Sequence, residues 1–275
     1  GVVVQGSGNS LVNLISHDNG NGFFASSATS NTLIYGCLSY NNGQLTFAGA
    51  AQGMGMYLQN NSGYSRVYES IVLNSFSMGM QLYGVTGPYV GGDLHGVVVS
   101  KSGGPMNLTN RGLLWGPDSQ VSPTAVLNES HFHGNNGVQI GYGAGVTTSR
   151  VTNNYFNEEL FSTTTKAVNL TFTGNKLTRS SGGSFLEAAR ETYTWNNNEY
   201  YNTGAGTYRF NYVGFGQHIF STWKSVRGYD LNSTITTSQL PDVAIVRPNV
   251  YETGRANIIV HTLSSPSSIN VDLAT

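Results

Sequence analysis

The sequence predicts an all-β chain, a right-handed parallel β-helix of about eight to nine coils with a small C-terminal antiparallel β-module. The first observation is a pair of apolar registers, each recurring every two dozen or so positions, that agree with one another. The second is a succession of short alternating strand patterns between Asn-, Gly- and Ser-rich turns, with no useful stretch of 3.6-residue periodicity. Third, only 10% of the 275 residues are charged, against about 25% in ordinary soluble domains. Such a chain needs its backbone in hydrogen-bonded ladders beneath a neutral surface of amides and hydroxyls.

One register runs glycine or a small residue followed by alternating apolar residues, as in GVVVQ, GFFAS, GMYLQ, GMQLY, GLLWG, GVQIG, SFLEA and TYRFN. Its anchors are Val2, Phe23, Met56, Met80, Leu113, Val138, Phe185 and Tyr208, with Leu160 filling the one double gap. Successive steps are about 21, 33, 24, 33, 25, 22, 25 and 23 residues, within the range of solenoid repeats. The second register places a small residue or Asn two before an apolar one. It recurs at Asn13/Ile15, Gly36/Leu38, Ser70/Val72, Gly96/Val98, Ser130/Phe132, Asn154/Phe156, Asn175/Leu177 and Asn198/Tyr200. Its steps of about 23, 34, 26, 34, 24, 21 and 23 repeat the same order of short and long coils.

Strands of about five residues cannot bury a face alone, so the coils stack and pair in parallel. Val, Leu, Ile, Phe and Met then fill a narrow tube, and Asn side chains ladder at the turns. The crossover rule for parallel strands makes the winding right-handed. Residues 1–206 form this body.

The two long steps locate insertions at 40–53 and at 100–121, loops of the kind that carry binding. From 207 the period is lost. The aromatic segment from Phe210 to Thr234 is expected to seal the tube. Residues 243–275 read as three antiparallel strands with turns near Asn249–Gly254 and Ser264–Ser268. No comparable cap precedes Val2, so the chain is expected to start inside a longer protein, as a monomer or associating end to end through the open first coil.

Composition excludes several functions. The net charge is −1 and no Lys/Arg cluster occurs, which argues against nucleic acid and anionic membranes. Cys37 is the single cysteine, so no internal disulfide forms. No apolar run approaches the length of a membrane span, and the first residues already read as strand rather than signal peptide.

Over residues 1 to about 206 the coil pattern resembles the pectate-lyase-like superfamily of β-helices. The tail, WKSVRGYDLNST followed by VRPNVYETGRANIIV, is similar to the ends of many secreted bacterial β-helix proteins. The resemblance implies a secreted or cell-surface protein directed at an extracellular polysaccharide, as a lyase or glycoside hydrolase. The alternative is a non-catalytic adhesin, tailspike-like shaft or structural surface module. The chain has neither the paired aspartates of the polygalacturonases nor the acidic calcium cluster of the pectate lyases. No metal or other cofactor is therefore expected, and a structural calcium ion stays an open but unsupported alternative.

With Phe132 in the core, His131 and His133 both point outward. Stacking then aligns His131, Tyr155, Lys176 and Glu199 in one column and His133, Asn157, Thr178 and Tyr201 in the next. The first column offers a base, a tyrosine and a cation, which suits proton abstraction beside a sugar carboxylate; these four are the catalytic candidates. On the first-strand face Val3, Phe24, Tyr57, Gln81, Leu114 and Gln139 line up, a mixture suited to neutral sugar rings. Tyr40, Phe47, Tyr83 and Trp115 enrich it if the insertions fold over. Asp93 and His95 before the second insertion, with Lys101, Arg111 and Asp118 within it, complete the charged groups expected to contact substrate. His17 and Asp18 are ordinary turn residues, and Glu158 and Glu159 would face opposite ways on a strand.

Overall fold

The computed structural model describes residues 1–45, 51–85, 87, 89–103, 111–180, 184–189, 192–204 and 209–273. Each coil threads three short strands through three sheets in turn. The opening coil contributes Val2–Val4, Ser10–Val12 and Ile15–His17, and the eighth contributes Leu186–Ala188, Thr194–Asn196 and Glu199–Asn202. Strand order within every sheet follows coil order, and the pairing between coils is parallel throughout. The molecule is a parallel β-solenoid of about eight turns. Past the eighth coil, Phe210–Tyr212 joins the first sheet and Thr234–Thr236 the third.

The corner between the second and third sheets dictates much of this geometry. It is two residues long, and the first of them is left-handed in every coil: Asn13, Gly36, Glu69, Gly96, Glu129, Asn153, Gly174 and Asn197, with φ from 48° to 69°. Glycine and asparagine tolerate that region; glutamate does not favour it. In the later coils the second corner residue points inward and ladders. Ser130 N–H donates to Asn154 Oδ1, Asn154 N–H to Asn175 Oδ1, and Asn175 N–H to Asn198 Oδ1, at 2.8, 3.0 and 2.9 Å. Asparagines do ladder at the turns, in the dry interior.

The first-sheet register matches expectation from Val2 through Val138 and then shifts. Phe161 and Phe210 take the places assigned to Leu160 and Tyr208, and Leu186 that assigned to Phe185; Tyr208 lies outside the described residues. In the third sheet Ser16, Ser39 and Val99 face the core, not Ile15, Leu38 and Val98, which pair instead with outward Ile71 and His131. A one-residue slip exchanges the two faces of a strand. Small polar residues inside the first two coils disguise it.

Both insertions leave the same corner, between the third and first sheets. The earlier one carries a two-stranded hairpin of Gln44–Leu45 and Ala51–Gln52. The C-terminal end is closed by a short helix, Phe220–Arg227, whose Trp223 is fully buried against Trp195, Phe210 and Tyr229. The tail forms two strands, Val243–Pro248 and Ala256–His261, paired antiparallel. The third strand expected beyond Ser268 is not formed among the described residues, which run to Leu273.

Candidate functional site

Two surfaces gather the residues that carry chemistry. On the third sheet the register aligns His131, Tyr155, Lys176 and Glu199 as expected, and His133, Asn157, Thr178 and Tyr201 beside them. The rings of His131 and Tyr155 stack at 4.8 Å, Lys176 Nζ lies 5.7 Å from the Tyr155 ring, and Lys176 pairs with Glu199 at 3.6 Å. Tyr201 donates its hydroxyl to Glu199 at 2.5 Å.

The tail hairpin crosses this column. His261 bonds His131, Nε2 to Nδ1, at 2.8 Å and stacks on Tyr155 at 5.0 Å. His131 is left 3% exposed. Burial first, then the neighbouring His261 and Arg247, hold its imidazole down to about 3, too weak a base to take a sugar proton near neutral pH.

One coil further back, Arg247 of the hairpin sits in a cage. It donates to Glu69 from Nε and Nη2 at 2.5 and 2.7 Å, to Glu129 at 3.1 Å and to His95 Nε2 at 2.9 Å. His95 lies 3.7 Å from both glutamates. Burial alone would raise Glu129, yet Arg247, His95 and Asn128 hold it below the usual carboxylate range. These are the two left-handed corner glutamates. The strain they carry is explained by this arginine. Once the register is right, a glutamate in a column of Asn and Gly is the signal that sequence reading can use; Arg247 and His261 give no comparable signal, because their partners lie more than 100 residues away.

On the first sheet Val3, Phe24, Tyr57, Gln81, Leu114, Gln139, Ser162, Glu187 and Asn211 form one outward line. Phe24 and Tyr57 pack at 5.5 Å, and beside them Tyr83 and Tyr142 pack at 5.8 Å. The Tyr83 hydroxyl donates a hydrogen bond to Asp118; burial first, then that carboxylate, push it up to about 12. Gln81, Leu114 and Gln139 are buried, and Gln81 Oε1 has no hydrogen-bond partner among the described residues. Burial lowers half-buried Arg111, and the carboxylate of Glu187 acts in the opposite direction. Asn211 orients Glu187 at 2.7 Å.

The other expected contacts scatter. Trp115 is fully buried inside the tube against Tyr89 and presents nothing to a ligand. Asp93 faces outward on the second sheet and accepts from Tyr68 at 2.8 Å, in a polar trough with Asn128, Arg150 and Thr152. Lys101 is exposed in the turn after the third-sheet strand, and Tyr40 stacks on His17 at 4.7 Å on that same sheet. Phe47 lies outside the described residues. Glu158 and Glu159 sit in a turn rather than on a strand. Glu159 is fully buried and accepts from the backbone of Asn135 and Gly137 at 2.6 and 2.8 Å. Among the described residues no group of three or more His, Cys, Asp or Glu is placed to hold a metal ion, and no helix is long and apolar enough to cross a membrane. No protein-family model, curated protein or solved structure matches the chain.

Proposed function

We propose that this solenoid binds an extracellular polysaccharide through the outer face of its first sheet, as a carbohydrate-directed member of the pectate-lyase-like superfamily. The observation that carries the reading is the outward line from Phe24 to Ser162. It carries no charge over six coils, and its accessible end presents the half-buried rings of Phe24 and Tyr57, with Tyr83 and Tyr142 alongside, while Gln81, Leu114, Gln139 and Ser162 are buried behind them. Sugar rings have apolar faces and hydroxyl rims, so aromatic platforms match their faces. The strands repeat about every 4.8 Å, which suits a long polymer lying along the axis. Low charge supports a neutral or sparsely charged glycan. The His131 column supports binding rather than cleavage, since its base is covered and deactivated.

The test is affinity electrophoresis against a panel of soluble neutral and acidic polysaccharides, with ultraviolet absorbance of unsaturated chain ends followed in parallel. At least one neutral polymer should retard the protein, and Tyr57→Ala or Tyr83→Ala should each weaken retardation about tenfold, the equivalent of about 1.4 kcal/mol. The reading fails if no polymer retards the protein or if the double variant is retarded as strongly as the wild type.

A further inference from the structure

The tail hairpin lies along the outside of the tube. Its tip reaches the first two coils, where Asn249 donates to Asn13 at 2.7 Å and Val250 N–H to the Tyr35 hydroxyl at 3.0 Å. Its middle is the Arg247 cage, reinforced by Asn257 donating to Glu69 O at 2.6 Å. Its far end is the His261–His131 bond. Little apolar surface accompanies these contacts. In Ala256–His261 only Ile259 and His261 are buried, while Ile258 and Val260 are 49% and 45% exposed; no residue of Val243–Pro248 is fully buried. An isolated two-stranded hairpin is marginal in water, so its place depends on the polar anchors.

We propose that this hairpin is an acid-released strap, whose docking over the His131–Tyr155–Lys176–Glu199 column requires the imidazole pair His131–His261 to keep at least one ring neutral. A nitrogen-to-nitrogen hydrogen bond at 2.8 Å needs one N–H and one lone pair. With both rings protonated two N–H groups and two positive charges confront each other. Every ionisable neighbour bears on this. Arg247 and His261 oppose a charge on His131, and His133 opposes one on His261. Glu129 lies beside His131 but is engaged by Arg247. Tyr155 stacks on both rings, and Lys176 Nζ lies 5.7 Å from its ring. Among the described residues no carboxylate forms an ion pair with either ring.

The sign follows. His131 is lowered from 6.5 to about 3 while strapped, chiefly by burial, and His261 is lowered by burial and His133. Both return towards their ordinary value when the strap lifts, so the lifted state binds more protons below about pH 6.5. The strap is fully favoured above that pH and loses ground as pH falls towards 3. Between pH 7 and 5, His131 alone raises the lifted-to-strapped ratio about twentyfold. Glu129, held low by Arg247, acts in the same direction as it protonates.

Hydrogen exchange of the Val243–His261 amides, corrected for intrinsic rates, measures this. Protection should fall tenfold or more from pH 7 to 5 while the third-sheet strands beneath stay protected, and His131→Gln or His261→Gln should cut the pH effect to a few-fold. Equal protection at both pH values, or an undiminished pH effect in both variants, overturns the proposal. A wild-type control covers any variant that fails to fold: imidazole 15N shifts should report proton uptake by both rings together with the loss of protection. Uptake without that loss also overturns it.

Discussion

Asn175 makes plain how much one side chain contributes in a solenoid. Its Oδ1 accepts from Asn154 N–H and Nδ2, and its own amide donates to Val151 O and Asn198 Oδ1, at 3.0 to 3.2 Å and without solvent. Removing it strands a buried N–H and a buried carbonyl, each costing about 1–3 kcal/mol. Asn175→Ala should therefore destabilise the protein by about 3 kcal/mol in a denaturant titration. Serine fills the equivalent corner at Ser70 and Ser130, where Oγ accepts from the coil below at 3.1 and 3.2 Å. Asn175→Ser should accordingly lose clearly less than alanine does. The same corner shows what is legible at this scale. Inward and outward sides of the His131 strand are readable because Phe132 can only go inside. They are not readable at Ile15, where an apolar residue faces water at 60% exposure and Ser16 faces the core.

At the scale of an element, pattern alone reveals those segments whose burial is periodic. The alternation in VAIVRP and ANIIVH announces two strands, and both form. The helix Phe220–Arg227 leaves no trace of that kind, because Trp223 is its one buried residue and Ile219 gives it no side-chain cap. It is fixed from outside. Trp223 Nε1 donates at 2.9 Å to Asp230, a fully buried carboxylate that also accepts from Tyr200 and Asn198 at 2.8 and 3.0 Å and from Ser233. That carboxylate joins plug, ladder and final strand. Trp223→Ala removes both the plug and one donor, and should cost about 3–5 kcal/mol. Trp223→Phe should recover most of the packing but not the hydrogen bond, leaving a loss of about 1–2 kcal/mol in the same titration.

For the whole molecule, a stack of coils is stable only as far as each coil and its interfaces allow, and this stack is uneven. The later coils share an aromatic spine in which Phe132, Phe156, Phe172, Trp195 and Trp223 follow one another at 4.3 to 6.0 Å, with the asparagine ladder at one corner. The first two coils instead bury Ser16, Thr29, Ser30, Thr32 and Ser39 beside Val4, Phe23, Ala25, Ile34, Tyr35 and Cys37, and their corner has no asparagine inside. Fold class is legible because a repeat restates itself eight times. The gradient becomes legible only after the register is corrected, and the strap only in three dimensions. The strap tip lands on the weak coils, through Asn13 and Tyr35, so it staples the end that its own sequence position would leave remote. Native-state exchange should accordingly be slowest in the strands around Phe156 and Phe172 and fastest in those around Val4 and Ile34. Deleting residues 243–275 should speed exchange in the first two coils several-fold while leaving the aromatic spine unchanged. Uniform protection along the axis, or an equal response of both ends to the deletion, would mean that the coils share one cooperative unit and that the spine confers no local advantage.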